Sequence, residues 1–197
     1  MFNRTTLLVL AAALAAGLGL VVARLFFGPT VALPTTKAVH LIDPPRRVAP
    51  FTLRQSDGTQ LVPGELRGHW TVVFLGFTHC PDVCPTTLGE LSKAQKQWES
   101  LPESRRPRVL FVSVDPERDT LAATADVPPL ERFVGSIGLV FAKVPSHDEA
   151  APDAYSIEHS GALVVLDPQA RMAGLVQPPF DALAIADDLT HLTKTQR

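Results

Sequence analysis

Thr71-Val72-Val73-Phe74-Leu75-Gly76-Phe77 runs straight into Thr78-His79-Cys80-Pro81-Asp82-Val83-Cys84-Pro85. The first stretch is short and almost unbroken in its apolar character, which suits a strand buried on both faces. The second opens a helix over residues 85–99. Pro85 fits a first-turn position, and Leu88, Leu91 and Trp98 form an apolar stripe. Two cysteines therefore stand where a buried strand meets a helix.

The pattern continues outward. Val109 to Val114 reads as a second buried strand, ended by Asp115-Pro116. Residues 129–137 predict a short helix, and 139–142 a further strand. Residues 161–166 and 172–176, joined by an Asp167-Pro168 turn, predict a hairpin, and 180–193 a closing helix. Upstream, residues 51–53 and 60–62 flank an Asp57-Gly58 turn as a short hairpin. Buried strand, helix, buried strand, then a late hairpin and helix describe an α/β sandwich of the thioredoxin-like type with an N-terminal hairpin.

The chain has 197 residues and two cysteines. Two cysteines exclude a four-cysteine zinc site and a disulfide framework. A bond between Cys80 and Cys84 would close almost no loop and stabilise the fold little. Their pairing thus reads as chemical. A helix N-terminus favours thiolate over thiol. Three intervening residues are looser than the two that thiol redox enzymes favour, and leave room for a metal. Two thiolates are soft ligands matched to Cu(I). Two buried, inert cysteines are the bland alternative.

Residues 1–28 hold 20 apolar side chains, no acid, and only Arg4 and Arg24 as bases. About 20 apolar residues cross the ~30 Å hydrocarbon layer as one helix. This single transmembrane helix, in contact with the membrane through residues 5–27, is expected to be an uncleaved anchor. A cleaved signal peptide is the alternative. The short leading tail predicts export of the rest, placing the chain in a bacterial inner membrane with its soluble domain in the periplasm or outside. Residues 29–47, with Pro29, Pro34, Pro44 and Pro45, read as a tether, and 48–197 as the domain. The mildly acidic body has no basic runs, which argues against nucleic-acid binding.

A metal held by two thiolates wants a further ligand. His79 adjoins the pair, but the preceding strand can point it away. His40, His69, His147 and His191 read as surface residues. His159 differs, because Ile157-Glu158-His159-Ser160 leads directly into the hairpin whose preceding loop faces the first helix N-terminus in such a sandwich. An exposed loop histidine remains the alternative from spacing alone.

Together these residues resemble the Sco/SenC family of copper-binding, membrane-anchored proteins, over roughly residues 48–175. The likeness rests on three blocks: Gly76-Phe77-Thr78 with Cys80 to Pro85, Val112 to Thr120, and Glu158-His159-Ser160 with Leu166-Asp167-Pro168. It implies that Cys80, Cys84 and His159 hold one copper as Cu(I) or Cu(II). It also implies delivery to the copper-bearing subunit of cytochrome c oxidase or to another copper protein. The alternative is a thiol–disulfide reductase in which Cys80 and Cys84 are the redox pair and keep a partner's cysteines reduced. The chain departs from the family pattern in two places. Glu158 stands where Asp is usual, and residues 119–139 are short, so that 121–129 replace a helix and an edge strand.

Overall fold

The computed structural model describes residues 3–26, 33–119, 127–145 and 155–195. The chain divides into two units, Met1–Leu33 and Pro34–Arg197. The first contains helix α1 (Arg4–Phe26). Its Arg4–Arg24 portion, 21 residues, is apolar enough to cross a membrane. At 1.5 Å per residue that is about 32 Å, the thickness of a hydrocarbon core.

The second unit is built from β1 (His40–Arg47), β2 (Leu53–Arg54), β3 (Gln60–Leu61), β4 (Thr71–Gly76), α2 (Val83–Trp98), β5 (Arg108–Ser113), α3 (Val127–Ser136), β6 (Phe141–Pro145), β7 (Tyr155–His159), β8 (Leu163–Leu166), β9 (Arg171–Val176) and α4 (Ala182–Thr195). Five strands form one sheet in the order β1-β9-β8-β4-β5. β4 and β5 run parallel, with Gly76 opposite Ser113, and the other neighbours are antiparallel.

β4 is buried along its whole length, as its apolar run predicts. Side chains alternate across a strand, so Val73 and Leu75 enter one core and Val72 and Phe74 the other. The first core takes Leu130, Phe133 and Ile137 of α3 or its following turn, with Leu53 and Leu61 of the β2–β3 pair. The second takes Leu91 and Trp98 of α2 with Ile185 and Leu189 of α4. Trp98 Nε1 donates to the Ala186 carbonyl at 3.2 Å and fastens α2 to α4. Helices on both faces of a mixed sheet make this a thioredoxin-like α/β fold.

The structure corrects three expectations. The second half of the 29–47 segment is not tether but β1, paired with β9 along one edge of the sheet. Pro44 and Pro45 hid it, since proline is tolerated in a strand only at an edge or an irregularity. The register shifts between Leu41 and Arg46 on either side of them. The chain is secured even earlier: buried Asp188 of α4 accepts from the amides of Lys37, Ala38 and Val39 at 2.7–3.0 Å. Second, the strand expected at 139–142 runs from Phe141 to Pro145 and pairs with β7, which the sequence did not foretell. Third, His69 is half-buried, its Nδ1 donating to the Arg106 carbonyl at 2.9 Å. Of the short segment noted in the sequence, residues 120–126 lie outside the described residues, as does His147; α3 begins at Val127.

Candidate metal centre

β4 ends at Gly76, and the chain turns through Phe77–Asp82 before α2 begins at Val83. Cys80 sits in that turn, its amide donating to the Phe77 carbonyl at 3.2 Å. Cys84 is the second residue of α2 and is 2 % exposed. Both are free thiols, and each shifts the acidity of the other.

Gly76 allows this packing. A Cβ built there would lie 3.1 Å from Cys84 Sγ and 2.6 Å from the Phe111 ring. Absence of a side chain at the strand end is what lets the helix bring its sulfur down onto the sheet.

The two thiols differ in acidity. Burial opposes charge at Cys80, but the Cys84 thiol and the backbone groups of Cys84, Asp82 and Val83 outweigh it and pull the pKa below the ordinary thiol value. Burial acts unopposed enough at Cys84 to push its thiol up to about 12, helped by the hydrogen bond to Cys80 and the nearby charges of Cys80 and Asp119. The more acidic thiol is therefore Cys80 and the less acidic one Cys84.

His159 closes β7, opposite Phe141 of β6. Its Nδ1 stands 3.0 Å from the Ser160 carbonyl oxygen. A carbonyl only accepts, so Nδ1 carries a proton, and in the neutral ring the lone pair is then on Nε2. That Nε2 lies 4.0 Å from Cys84 Sγ. The ring meets Phe77 and Phe74 edge-on, with centroids 6.1 and 6.5 Å apart.

A thiolate and an imidazole sharing one ion at about 2.3 and 2.1 Å stand about 3.8 Å apart at a trigonal angle. The Cys84–His159 spacing is already near that value. Among the described residues no three His, Cys, Asp or Glu side chains are yet gathered around one point. Cys80 and Cys84 are adjacent, and so are Cys84 and His159. Two soft sulfurs and one imidazole nitrogen fit copper in chemistry.

The other described histidines stand apart. His79 is exposed and turned to Thr78 Oγ1 at 3.1 Å and Asp119 Oδ1 at 3.7 Å. His40 and His191 are exposed.

Sequence reasoning assigned no role to the supporting shell. Asp119, 1 % exposed, accepts from Thr78 N at 2.9 Å, Thr78 Oγ1 at 2.5 Å and Ser113 Oγ at 2.6 Å. Burial works against its charge, but these donors outweigh it and hold the carboxyl below the usual range. Tyr155 donates its hydroxyl to Asp115 Oδ1 at 2.8 Å. Burial and that bond push its phenol up to about 12. The signal for this shell was the Val112–Thr120 block, which carries three of its members.

The SCO1/SenC family pattern matches residues 40–128 of this chain. That match begins at β1 and includes both cysteines. Over this region the chain is similar to the SCO1/SenC family. Over 152 residues it is 35% identical to the mitochondrial protein SCO2 homolog of Bos taurus, covering 71% of this chain and 56% of that one. It is 32% identical to a putative copper-binding protein of Stutzerimonas stutzeri, covering 58% and 61%. The chain thus spans little more than half the length of these relatives. The copper-bound ScoI structure of Bradyrhizobium japonicum aligns with a TM-score of 0.63 at 28% identity, over 73% of this chain and 98% of that one.

Proposed function

We propose that this protein is a membrane-anchored copper metallochaperone that carries one copper on Cys80, Cys84 and His159. The observation that carries the reading is the orientation of His159. Its Nδ1 proton is engaged by the Ser160 carbonyl, and its free Nε2 faces the buried Cys84 sulfur. A thiol–disulfide reductase has no use for an imidazole fixed this way, whereas a metal site requires it. Copper is the protein's cargo, and a three-donor site leaves room for an acceptor's ligands to attack and take it. The acceptor that the family likeness favours is the copper site of cytochrome c oxidase or of another copper protein. α1 would anchor the chain in a bacterial inner membrane, with the second unit exported.

A second reading is favoured by the unequal thiols. Cys80 thiolate would attack a partner's disulfide, forming a mixed disulfide and expelling one partner thiolate. Cys84, giving up its proton, would then attack the Cys80 sulfur and expel the second. The partner gains two electrons and this chain closes Cys80–Cys84.

Copper titration of the purified full-length protein in detergent separates the two. The metallochaperone reading predicts one copper per chain, lost in Cys80→Ser and Cys84→Ser and weakened in His159→Ala while disulfide exchange proceeds. Unchanged copper affinity in His159→Ala contradicts it and leaves the reductase.

A further inference from the structure

The strand that carries His159 belongs to a two-stranded pair, β6–β7, which is separate from the five-stranded sheet that carries the cysteines. Backbone pairing therefore does not fix one half of the site relative to the other. Side chains of one short turn, residues 115–119, reach both halves.

One arm goes to the cysteine loop. Asp119 holds the amide and hydroxyl of Thr78, two residues before Cys80. The other arm goes to Tyr155, four residues before His159. Asp115 accepts the Tyr155 hydroxyl at 2.8 Å and also pairs with Arg118. Arg118 donates to the Tyr155 carbonyl at 3.3 Å and lays its guanidinium 3.8 Å from the ring centroid. Lys143 of β6 places its ammonium 3.8 Å from the same centroid and pairs with Glu117 at 2.8 Å. Two cations on one ring are each neutralised by a carboxylate of the same turn, so cation–π attraction is kept without net charge. The two arms are tied to each other, because Ser113 Oγ accepts from the Asp115 amide and donates to Asp119.

We propose that the 115–119 turn braces the His159-bearing pair against the cysteine loop, and that Tyr155 is the positioning residue through which it sets His159. The inference rests on the reading of His159 as a ligand. Residues that orient a ligand from outside the coordination shell commonly change metal affinity by about 10- to 100-fold.

The test uses the full-length protein in detergent, with Tyr155→Phe removing one hydroxyl and Glu117→Gln releasing Lys143. Without copper, amide hydrogen exchange in 141–145 and 155–159 should quicken about fivefold or more in Tyr155→Phe, with α2 and α4 unaffected. With Cu(II) ions as the probe, Tyr155→Phe should bind about tenfold more weakly, and Glu117→Gln should shift affinity in the same direction by less. In a His159→Ala background Tyr155→Phe should have no further effect on affinity, which a merely structural role would not produce. Unchanged exchange in both variants overturns the brace. So does a Tyr155→Phe loss of the same size in both backgrounds. If His159→Ala alone leaves affinity unchanged, the ligand reading fails instead, and the exchange experiment by itself decides the brace.

Discussion

Gly76 at the end of β4 and Cys84 in the first turn of α2 are packed so closely that a methyl group on the glycine would stand 3.1 Å from the cysteine sulfur. The same methyl would meet the Phe111 ring at 2.6 Å. Phe111 is half-buried and packed against the core, and Cys84 is enclosed. Gly76→Ala is expected to destabilise the domain by about 1–3 kcal/mol through overpacking. It should also weaken copper binding, because the sulfur must shift. Chemical denaturation and a copper titration of the same variant check both effects. A variant of unchanged stability and affinity would show that the contact is slack.

The thiols are predicted to react unequally. Cys80 has a lowered pKa, so at neutral pH more of it is thiolate than in a free cysteine, while Cys84, pushed up to about 12, stays protonated. Iodoacetamide at pH 7, followed by mass spectrometry of peptides, should label Cys80 well before Cys84. Binding copper must also expel the Cys84 proton, so affinity should rise with pH across the neutral range. Equal labelling of the two would contradict this ordering.

Asp119 makes stability depend on acid. Its folded-state pKa is below the unfolded value, so its contribution is fully present above the unfolded carboxylate range and is lost as pH falls through the folded pKa. Asp119→Asn should cost about 1–3 kcal/mol at neutral pH, leaving Thr78 and Ser113 donors poorly matched. The gap between wild type and variant should close as pH drops below about 4. Urea denaturation at a series of pH values measures it; a gap independent of pH would refute the assignment.

Asp188 supports a prediction away from the site. Its carboxylate holds the amides of Lys37, Ala38 and Val39, where the second unit begins. Asp188→Ala leaves those donors without their acceptor and should lower Tm by several degrees, at about 2–4 °C per kcal/mol for a chain of this size. Copper affinity should not change. Thermal unfolding and the titration, run side by side, distinguish this from a general loss of the fold.

The legible parts of the molecule were those set by local pattern. The continuous apolar run at residues 71–77 announced a central strand, and Pro85 with Leu91 and Trp98 announced the helix that follows. The Asp57-Gly58 turn is where the glycine takes φ +84° and Asp57 Oδ1 accepts the Thr59 amide at 2.9 Å. The strand at 40–47 stayed hidden because two prolines interrupt it and its pairing with β9 is irregular. β7 stayed hidden because only Ile157 of its five residues is buried, leaving little apolar pattern to read. The grip of Asp115, Arg118 and Lys143 on Tyr155 joins residues up to 40 apart in sequence. No periodicity encodes such contacts. His159 stands out in the sequence by its place before a hairpin and by family likeness; its Nε2 lies 4.0 Å from Cys84 Sγ.

The most direct test of the account is X-ray absorption of the full-length protein loaded with one equivalent of Cu(I). The predicted first shell is two sulfurs and one nitrogen, with the nitrogen lost in His159→Ala and the sulfurs retained. A shell unchanged by that substitution would contradict the assignment of His159 and with it the metal site proposed for this chain.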